Sequence, residues 1–434
     1  MKSFSSVVAP LTVRDFRRYY LGQTASAFGD ALTPLAIAFA VLHLTGSLVD
    51  LGIVVLSTRL PVIVLTLLGG AVGDHFSRRT VMLLTDTIRF MAHGATAVLL
   101  LTGTARIWML VVLQLIAGAG SAFFNPAAVG LVTSLISKEC LQEANSLLSI
   151  SRSMTSIVAL GAAGALVAVV GPGWAVLIDA LTFLVSAAFL YRLPRTITAE
   201  RLKRGNGLLA SIGGGLAEVG RRSWLWVWII HVSLTNVIVV SPILVLGPYI
   251  ADKHLGGAPA WSAIGIGYAA GGLAGGFVSA RWKPVRPMVA ALLLFLLMAP
   301  FPALLALPAA AWCLVLAGIA AGMQLVVYNV LQTTTIQQDL SEDVVSRTMS
   351  VATLGSLVAA PLGMGLAGPA AALFGARAVL GAGAVLAVLI TVATLLVPSV
   401  WRIQGSRAAA KPGEKSAASR VNADAATAET ESVR

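Results

Sequence analysis

The feature that most constrains this chain is its succession of apolar runs, many of them about 20 residues long or longer, separated by short polar stretches. An α-helix of that length crosses the hydrocarbon core of a bilayer. Of the 434 residues, 57% are hydrophobic and only 11% are charged. Because lipid offers no partner for unpaired backbone groups, the segments that cross it must form helices. The sequence therefore predicts an all-α membrane protein that crosses the bilayer many times.

Charge clusters, glycine and proline positions and the lengths of the apolar runs divide the chain into twelve predicted transmembrane helices. They cover residues 17–43, 48–72, 79–102, 107–134, 143–170, 173–193, 224–250, 260–281, 286–306, 309–336, 345–374 and 377–399. The longest internal connection follows the sixth helix. We therefore expect an N-terminal six-helix half (1–198), a cytoplasmic linker (199–222), a C-terminal six-helix half (223–401) and a disordered cytoplasmic tail (402–434).

The distribution of lysine and arginine predicts the orientation of these helices. The side that holds both termini carries 24 of these residues, and the other side carries 3. Basic residues accumulate on the cytoplasmic side of membrane proteins, so both termini are predicted to be cytoplasmic, in a bacterial-type cytoplasmic membrane. Tryptophans anchor helices at the membrane interface, and all nine lie near predicted helix ends. They are Trp108, Trp174, Trp224, Trp226, Trp228, Trp261, Trp282, Trp312 and Trp401.

The net charge of +12 would point to nucleic acid in a soluble protein. Here the basic residues lie in connections and tails, where they orient the protein across the bilayer, so we expect lipid and no nucleic acid as a partner. The sequence contains no phosphate-binding Gly-x-x-x-x-Gly-Lys-Ser/Thr motif. Its five histidines are scattered without metal-ligand spacing. We therefore expect no enzyme, no metal and no cofactor.

An internal repeat links the fourth and tenth predicted helices. Three residues of the fourth helix, Trp108, Gly118 and Asn125, recur 204 residues later. Their counterparts in the tenth helix are Trp312, Gly322 and Asn329. A duplication of six helices would pair these two helices with each other. Two related bundles with a site between them are typical of transporters, so the predicted fold is two pseudo-symmetric six-helix bundles.

The charged loop from Gly69 to Thr80, between the second and third predicted helices, identifies a family resemblance. It resembles motif A of the major facilitator superfamily, Gly-x-Leu-Ala-Asp-Arg-x-Gly-Arg-Lys/Arg. The resemblance implies twelve helices that transport by alternating access, and it places Asp74 against the N-terminus of the eleventh helix. A carboxylate there is attracted to the exposed helix amides. The residues to which a gating role is assigned are Gly70, Gly73, Asp74, Arg78 and Arg79.

Within the superfamily, a series of short pieces is similar to the exporter branch that contains macrolide efflux proteins and the enterobactin exporter. They include Asp15-Phe16-Arg17, Gly22-Gln23, Gly29-Asp30, Asp86-x-x-Arg89, Asn125-Pro126 and Ala144-Asn145. The chain also departs from family patterns. His75 replaces the usual arginine of motif A and Ser77 the usual glycine, so the loop gains a side chain that titrates near neutral pH. Gln114 replaces the arginine that many drug antiporters have four residues before the glycine of the fourth helix.

Three ionisable residues are candidates for ion coupling, namely Asp30, Asp86 and Arg89. Asp30 lies near the middle of the first helix, where an unpaired carboxylate costs ~2.5–3.5 kcal/mol. It is either a proton-coupling site or a permanent ion pair with Arg59 or Arg89. Asp86 and Arg89 are three residues apart, so they share a helix face and are expected to pair.

Polar stripes at helical spacing supply candidates for a substrate cavity. Arg152 on the fifth helix either holds an anionic part of a substrate or is neutralised by Asp179 or Asp86. The uncharged polar residues of the last six helices would supply further contacts. The full candidate set is Gln23, Arg59, Gln114, Asn125, Arg152, Asn236, Gln324, Tyr328 and Asn329.

These features and the resemblance favour one function. We expect a monomeric secondary active exporter of amphipathic small molecules, such as drugs, antibiotics or siderophore-like compounds, with protons as the coupling ion. One alternative is an uptake or lysolipid transporter of the same fold. Another is a membrane receptor or scaffold that transports nothing, because a fold does not fix a function.

Overall fold

The computed structural model describes most of the chain. The described ranges are residues 9–73, 77–137, 140–194, 222–339 and 342–403. Within them, only the backbone is described for residues 66–73, 126, 133, 142, 280, 337–339 and 342–357. Most of the predicted linker and nearly all of the predicted tail therefore lie outside the described residues, as does Asp74 of the gating motif.

Twelve long helices follow one another through the described part of the chain, which contains no strand. They are α1 (Arg14–Thr45), α2 (Leu48–Gly73), α3 (Arg78–Leu101), α4 (Ile107–Leu135), α5 (Leu141–Val169), α6 (Pro172–Tyr191), α7 (Ser223–His254), α8 (Ala258–Arg281), α9 (Pro287–Ala306), α10 (Ala311–Asp339), α11 (Glu342–Phe374) and α12 (Ala376–Leu395). Every end lies within four residues of a predicted end. The predicted all-α fold class is confirmed.

Ten of these helices are long and apolar enough to cross a membrane, counting only the described residues. The other two are α3 and α11. The sequence of α3 carries four charged side chains, which lower its hydropathy. The described side chains of α11 form a shorter apolar stretch, Val358–Phe374. The charges of α3 must be compensated inside the bundle, because an unpaired charge in the bilayer is costly.

Helix α7 changes its winding in the middle. Residues Asn236–Val240 form a π-helical turn, in which the Ser241 amide bonds to the Asn236 carbonyl five residues back. Proline at position 242 has no amide hydrogen and its ring crowds the carbonyl four residues earlier, which accounts for the local unwinding. The Asn236 side chain donates to the Val232 carbonyl at 2.9 Å. Such turns recur at functional sites.

The residues of the internal repeat lie in matching environments. A Cβ added to Gly118 on α4 would lie 2.3 Å from the Thr58 carbonyl oxygen of α2. A Cβ added to Gly322 on α10 would lie 1.9 Å from the Tyr268 carbonyl oxygen of α8. Glycine therefore permits the same close approach, α4 on α2 and α10 on α8. The two tryptophans of the repeat, Trp108 and Trp312, are 61% and 67% exposed.

Among the described residues, close contacts between the first six and the last six helices occur near one side of the bundle. We call the side on which α1 begins the terminal side, and the side on which α1 ends the opposite side. Near the opposite side, α2 packs on α11, where a Cβ on Gly368 would meet the Leu48 carbonyl at 2.4 Å. The Ser262 hydroxyl of α8 donates to the Leu160 carbonyl of α5. These contacts close the protein on the opposite side.

The α8–α10 contact predicts a contrast between two glycines. Alanine is up to about 1 kcal/mol more favourable than glycine in a helix, but overpacking costs about 1–3 kcal/mol. Gly322→Ala is therefore expected to lower the melting temperature in detergent. Gly276→Ala on α8, where an added Cβ meets nothing within 4 Å, is expected to leave it unchanged or raise it. A Gly322→Ala protein as stable as wild type would contradict this packing.

Candidate functional site

The described part of the gating motif binds helix ends. The Ser77 hydroxyl accepts the Thr80 amide at 3.2 Å and so caps the start of α3, which gives this departure from the family pattern a structural role. Arg78 donates to the Gly130 carbonyl of α4 at 2.5 Å. Arg79 donates to the Leu190 and Tyr191 carbonyls of α6 at 2.9 and 2.6 Å. Gly70 and Gly73 lie in the last turns of α2, and His75 lies outside the described residues.

A second arginine also binds the C-terminal end of α6. Arg18 of α1 donates to the Arg192 carbonyl at 3.0 Å and to the Asp15 carboxylate at 3.1 Å. The last carbonyls of a helix carry partial negative charge, so cations stabilise them. Together, Arg18, Arg78 and Arg79 join α1, α3, α4 and α6 on the terminal side.

Arg89 is the centre of a buried ion cluster between α1 and α3. Its guanidinium donates to the Asp86 carboxylate at 2.5 Å and lies 3.6 Å from the Asp30 carboxylate. The Phe124 and Phe183 rings cover its two sides, with centroids 4.3 and 4.2 Å away. The predicted pairing of Asp86 with Arg89 is confirmed, and of the two partners considered for Asp30 the structure selects Arg89.

The three members of this cluster differ in their exposed fractions. Asp86 is fully buried and the Arg89 side chain is 4% exposed, whereas the Asp30 side chain is 50% exposed. Asp30 is therefore the point at which the buried charges meet an accessible space. Gln23, on the same helix, is buried and donates to the Ser186 hydroxyl of α6 at 3.4 Å.

A second polar cluster lies next to the first and was missed in the sequence. The Asp179 carboxylate of α6 lies 2.5 Å from the His93 Nδ1 of α3 and accepts the Thr33 hydroxyl of α1 at 2.5 Å. Both ionisable groups are buried. His93 follows Arg89 by four residues, so helical spacing would have placed it beside the arginine.

Arg152 does not have the partners that one interpretation assigned to it. Asp179 is held by His93 and Asp86 by Arg89. Arg152 is exposed and makes no ion pair in the described part of the chain. That interpretation is therefore wrong.

The other cavity candidates of the first six helices lie in two kinds of place. Gln114 is buried between α4 and α2, where its side-chain oxygen accepts a hydrogen bond from the Thr58 hydroxyl at 3.0 Å. Its amide nitrogen has no partner among the described residues. Arg59 and Asn125 are exposed. Gln114 thus lies in a seam between helices, whereas Arg59 and Asn125 are accessible.

In the last six helices, Tyr328 belongs to a buried aromatic cluster. Its hydroxyl lies 3.0 Å from the His231 Nδ1, and its ring stacks on Trp228 with centroids 4.6 Å apart. The other imidazole nitrogen lies 3.2 Å from the Thr391 hydroxyl. Trp228 is thus a core residue, and its predicted role as an interfacial anchor is wrong. Gln324 is buried one turn before Tyr328, Asn329 is exposed and Asn236 lies in the π-helical turn of α7.

A bundle of apolar helices around buried, compensated charges is the architecture of a multi-pass membrane transport protein. The chain belongs to the Major Facilitator Superfamily, whose defining sequence pattern matches residues 19–364. This confirms the resemblance that the motif-A loop indicated.

Similar proteins include bacterial efflux proteins. The chain is 28% identical to the multidrug efflux pump Tap of Mycolicibacterium fortuitum over 410 residues, which is 90% of this chain and 96% of that protein. It is 24% identical to macrolide efflux protein A of Streptococcus pyogenes over 61% of this chain and 65% of that protein. The crystal structure of the nucleoside transporter NupG shares the fold, with a TM-score of 0.71 and 14% identity over 88% of this chain and 98% of that one.

The ion cluster predicts that Arg89 stabilises the fold. Arg89→Ala leaves the buried Asp86 carboxylate without its counter-ion, which costs about 3–5 kcal/mol, so a large fall in melting temperature is expected. The double variant Asp86→Asn with Arg89→Ala removes both charges and is expected to recover part of the loss. Equal stability of Arg89→Ala and wild type in thermal unfolding would contradict the pairing.

Proposed function

We propose that this protein is a secondary active exporter of amphipathic small molecules that exchanges them for protons. The observation that carries the proposal is Asp30, an accessible intramembrane carboxylate tied at 3.6 Å to the buried Arg89. An intramembrane carboxylate is costly unless it is paired or faces a cavity, and the exposure of Asp30 lets an incoming cation compete with the guanidinium for it. Such competition would link the binding of one cation to the charge of the whole cluster, which antiport requires.

Alternating access would be carried by two six-helix halves, residues 1–198 and 223–401, with both termini in the cytoplasm. The matching environments of Gly118 and Gly322 support two related halves. The close contacts of α2 with α11 and of α5 with α8 support a state that is closed on the opposite side. With cytoplasmic termini, this is the state that collects substrate from inside the cell.

The gating role of the motif-A loop would rest on its arginines and its acid. Arg78 and Arg79 fix the start of α3 to α4 and α6, which makes this corner of the first half rigid. Asp74 would contact the N-terminus of α11 when the terminal side closes. The loop would then lock the two halves in the closed state and release them in the open one.

The substrate class follows from the character of the candidate surfaces and from relatives. This chain is similar to the multidrug efflux pump Tap and to macrolide efflux protein A. Their names give drugs and macrolides as the compounds that these two proteins export. Asp30 and Arg152 would meet charged groups of a substrate, and exposed Asn125 and Asn329 its uncharged polar groups. Gln23, Gln114, Gln324 and Tyr328 are buried here and would join the binding surface only in another state of the transport cycle.

Export is tested by drug accumulation. Cells that produce the protein are expected to hold several-fold less ethidium and erythromycin than cells without it, and collapse of the proton gradient is expected to remove the difference. Equal accumulation across a broad panel of compounds would contradict export. Higher accumulation in the producing cells would indicate uptake instead.

Asp30→Asn is expected to abolish transport driven by a pH gradient in proteoliposomes, while the protein still inserts and folds. The physical reason is that the asparagine amide is neutral, so it attracts neither the Arg89 guanidinium nor an incoming cation. Asp50→Asn is the matched control, because Asp50 lies in the first turn of α2, outside the ion cluster. Full dependence on the pH gradient in Asp30→Asn would refute the role of this carboxylate.

A further inference from the structure

We propose that the coupling proton is held by the His93–Asp179 pair, not by the Asp30 carboxylate itself. This inference rests on proton antiport as the proposed function and names the proton-binding site for it. In this arrangement the exposed Asp30 carboxylate binds the substrate, and the buried His93–Asp179 pair next to it binds the proton. The geometry, the charge balance and the connections of the pair each support this assignment.

The geometry leaves one nitrogen of His93 free to accept a proton. Nδ1 faces the Asp179 carboxylate at 2.5 Å, so a neutral imidazole that donates there carries its lone pair on Nε2. The only side-chain hydrogen bond found for His93 among the described residues is the one at Nδ1. Binding is a simple proton transfer, in which Nε2 takes a proton from a hydronium ion and the imidazole becomes an imidazolium. Release returns the proton to water.

The pair is held rigidly. Asp179 also accepts the Thr33 hydroxyl, and the His93 ring packs edge-on against Phe183 with centroids 5.4 Å apart. The same phenylalanine covers the Arg89 guanidinium. The imidazole and the guanidinium are thus neighbours that share one wall, and the charge of each affects the other at close range.

The charged side chains around the His93–Asp179 pair carry a net negative charge. Its charged neighbours are Asp30 from α1 and Asp86 and Arg89 from α3. With Asp179, three carboxylates face one guanidinium, a balance of two negative charges when His93 is neutral. Helix α4 has no ionisable side chain between Ile107 and Leu135, and α5 contributes Glu143 and Arg152 in its first half, nearer the terminal side. A proton on His93 adds one positive charge to this cluster and so reduces its net negative charge.

Substrate binding would expel this proton by electrostatics. A cationic group at Asp30 adds a positive charge to the same cluster, so the imidazolium becomes less favourable and returns its proton to water. The link to motion is α1, which carries both Asp30 and Thr33, one helical turn apart. A change of charge on the pair thus acts on the helix that meets the substrate.

Proton release on binding tests the assignment. Purified protein in weak buffer with a pH-sensitive dye is mixed with ethidium, an amphipathic cation. Wild type is expected to release protons as ethidium binds. His93→Gln keeps an amide that can donate to Asp179, so it is expected to bind ethidium but to lose the release. In proteoliposomes it is expected to lose acceleration by a pH gradient and to keep ethidium exchange.

Two further variants make the test specific. His231→Gln removes the other buried histidine, which lies among aromatic residues of the last six helices, and is expected to keep proton release and gradient dependence. Asp179→Asn keeps the shape of the acid and is expected to behave as His93→Gln does, which provides a second arm if His93→Gln does not fold. Full proton release in either folded variant, with normal gradient dependence, would overturn the assignment. Wild type without any proton release or gradient dependence would instead refute proton antiport itself.

Discussion

The structure depends on how a single guanidinium is accommodated inside an apolar bundle. Arg89 lies between two phenylalanine rings and holds one fully buried carboxylate, Asp86, and one accessible carboxylate, Asp30. A charge at this depth is tolerated only when it is paired, and here the pairing spans two helices while the rings come from two more. The cluster therefore fixes α1, α3, α4 and α6 around one point. It also leaves the accessible acid dependent on a partner that a cation can replace.

The same four helices meet again on the terminal side. Arg18 and Arg79 bind the last carbonyls of α6, and Arg78 binds α4. In these contacts, guanidinium groups bind backbone carbonyls of helices near the terminal side. In the Arg89 cluster, a guanidinium binds carboxylates in the interior of the bundle. Between them, these contacts hold α1, α3, α4 and α6 together at two levels of the bundle. The last six helices contain, in the interior of their described part, an aromatic cluster around His231 and a π-helical turn in α7, and their ion pair of Asp252 with Lys253 lies at the end of α7.

Much of the fold was predictable because the length and hydropathy of a segment are local properties of the chain. All twelve helices lie close to their predicted spans, and the spacing of Asp86 and Arg89 was enough to predict their pairing. The sites that depend on distant segments were not predictable in the same way. His93 and Asp179 are 86 residues apart, and Trp228 was assigned to the interface because its position near a helix start does not reveal the tyrosine that covers it. Contacts and burial of this kind depend on how segments that are far apart in the sequence pack together.

In the proposed antiport, the buried charges of the first six helices couple substrate movement to proton movement in the opposite direction. Proteoliposomes with a pH-sensitive dye inside, and with no initial pH difference or membrane potential, allow this coupling to be measured. When an outward gradient of ethidium is imposed, protons are expected to enter the vesicles as ethidium leaves. Ethidium efflux without a change of internal pH, or with protons leaving alongside it, would refute antiport.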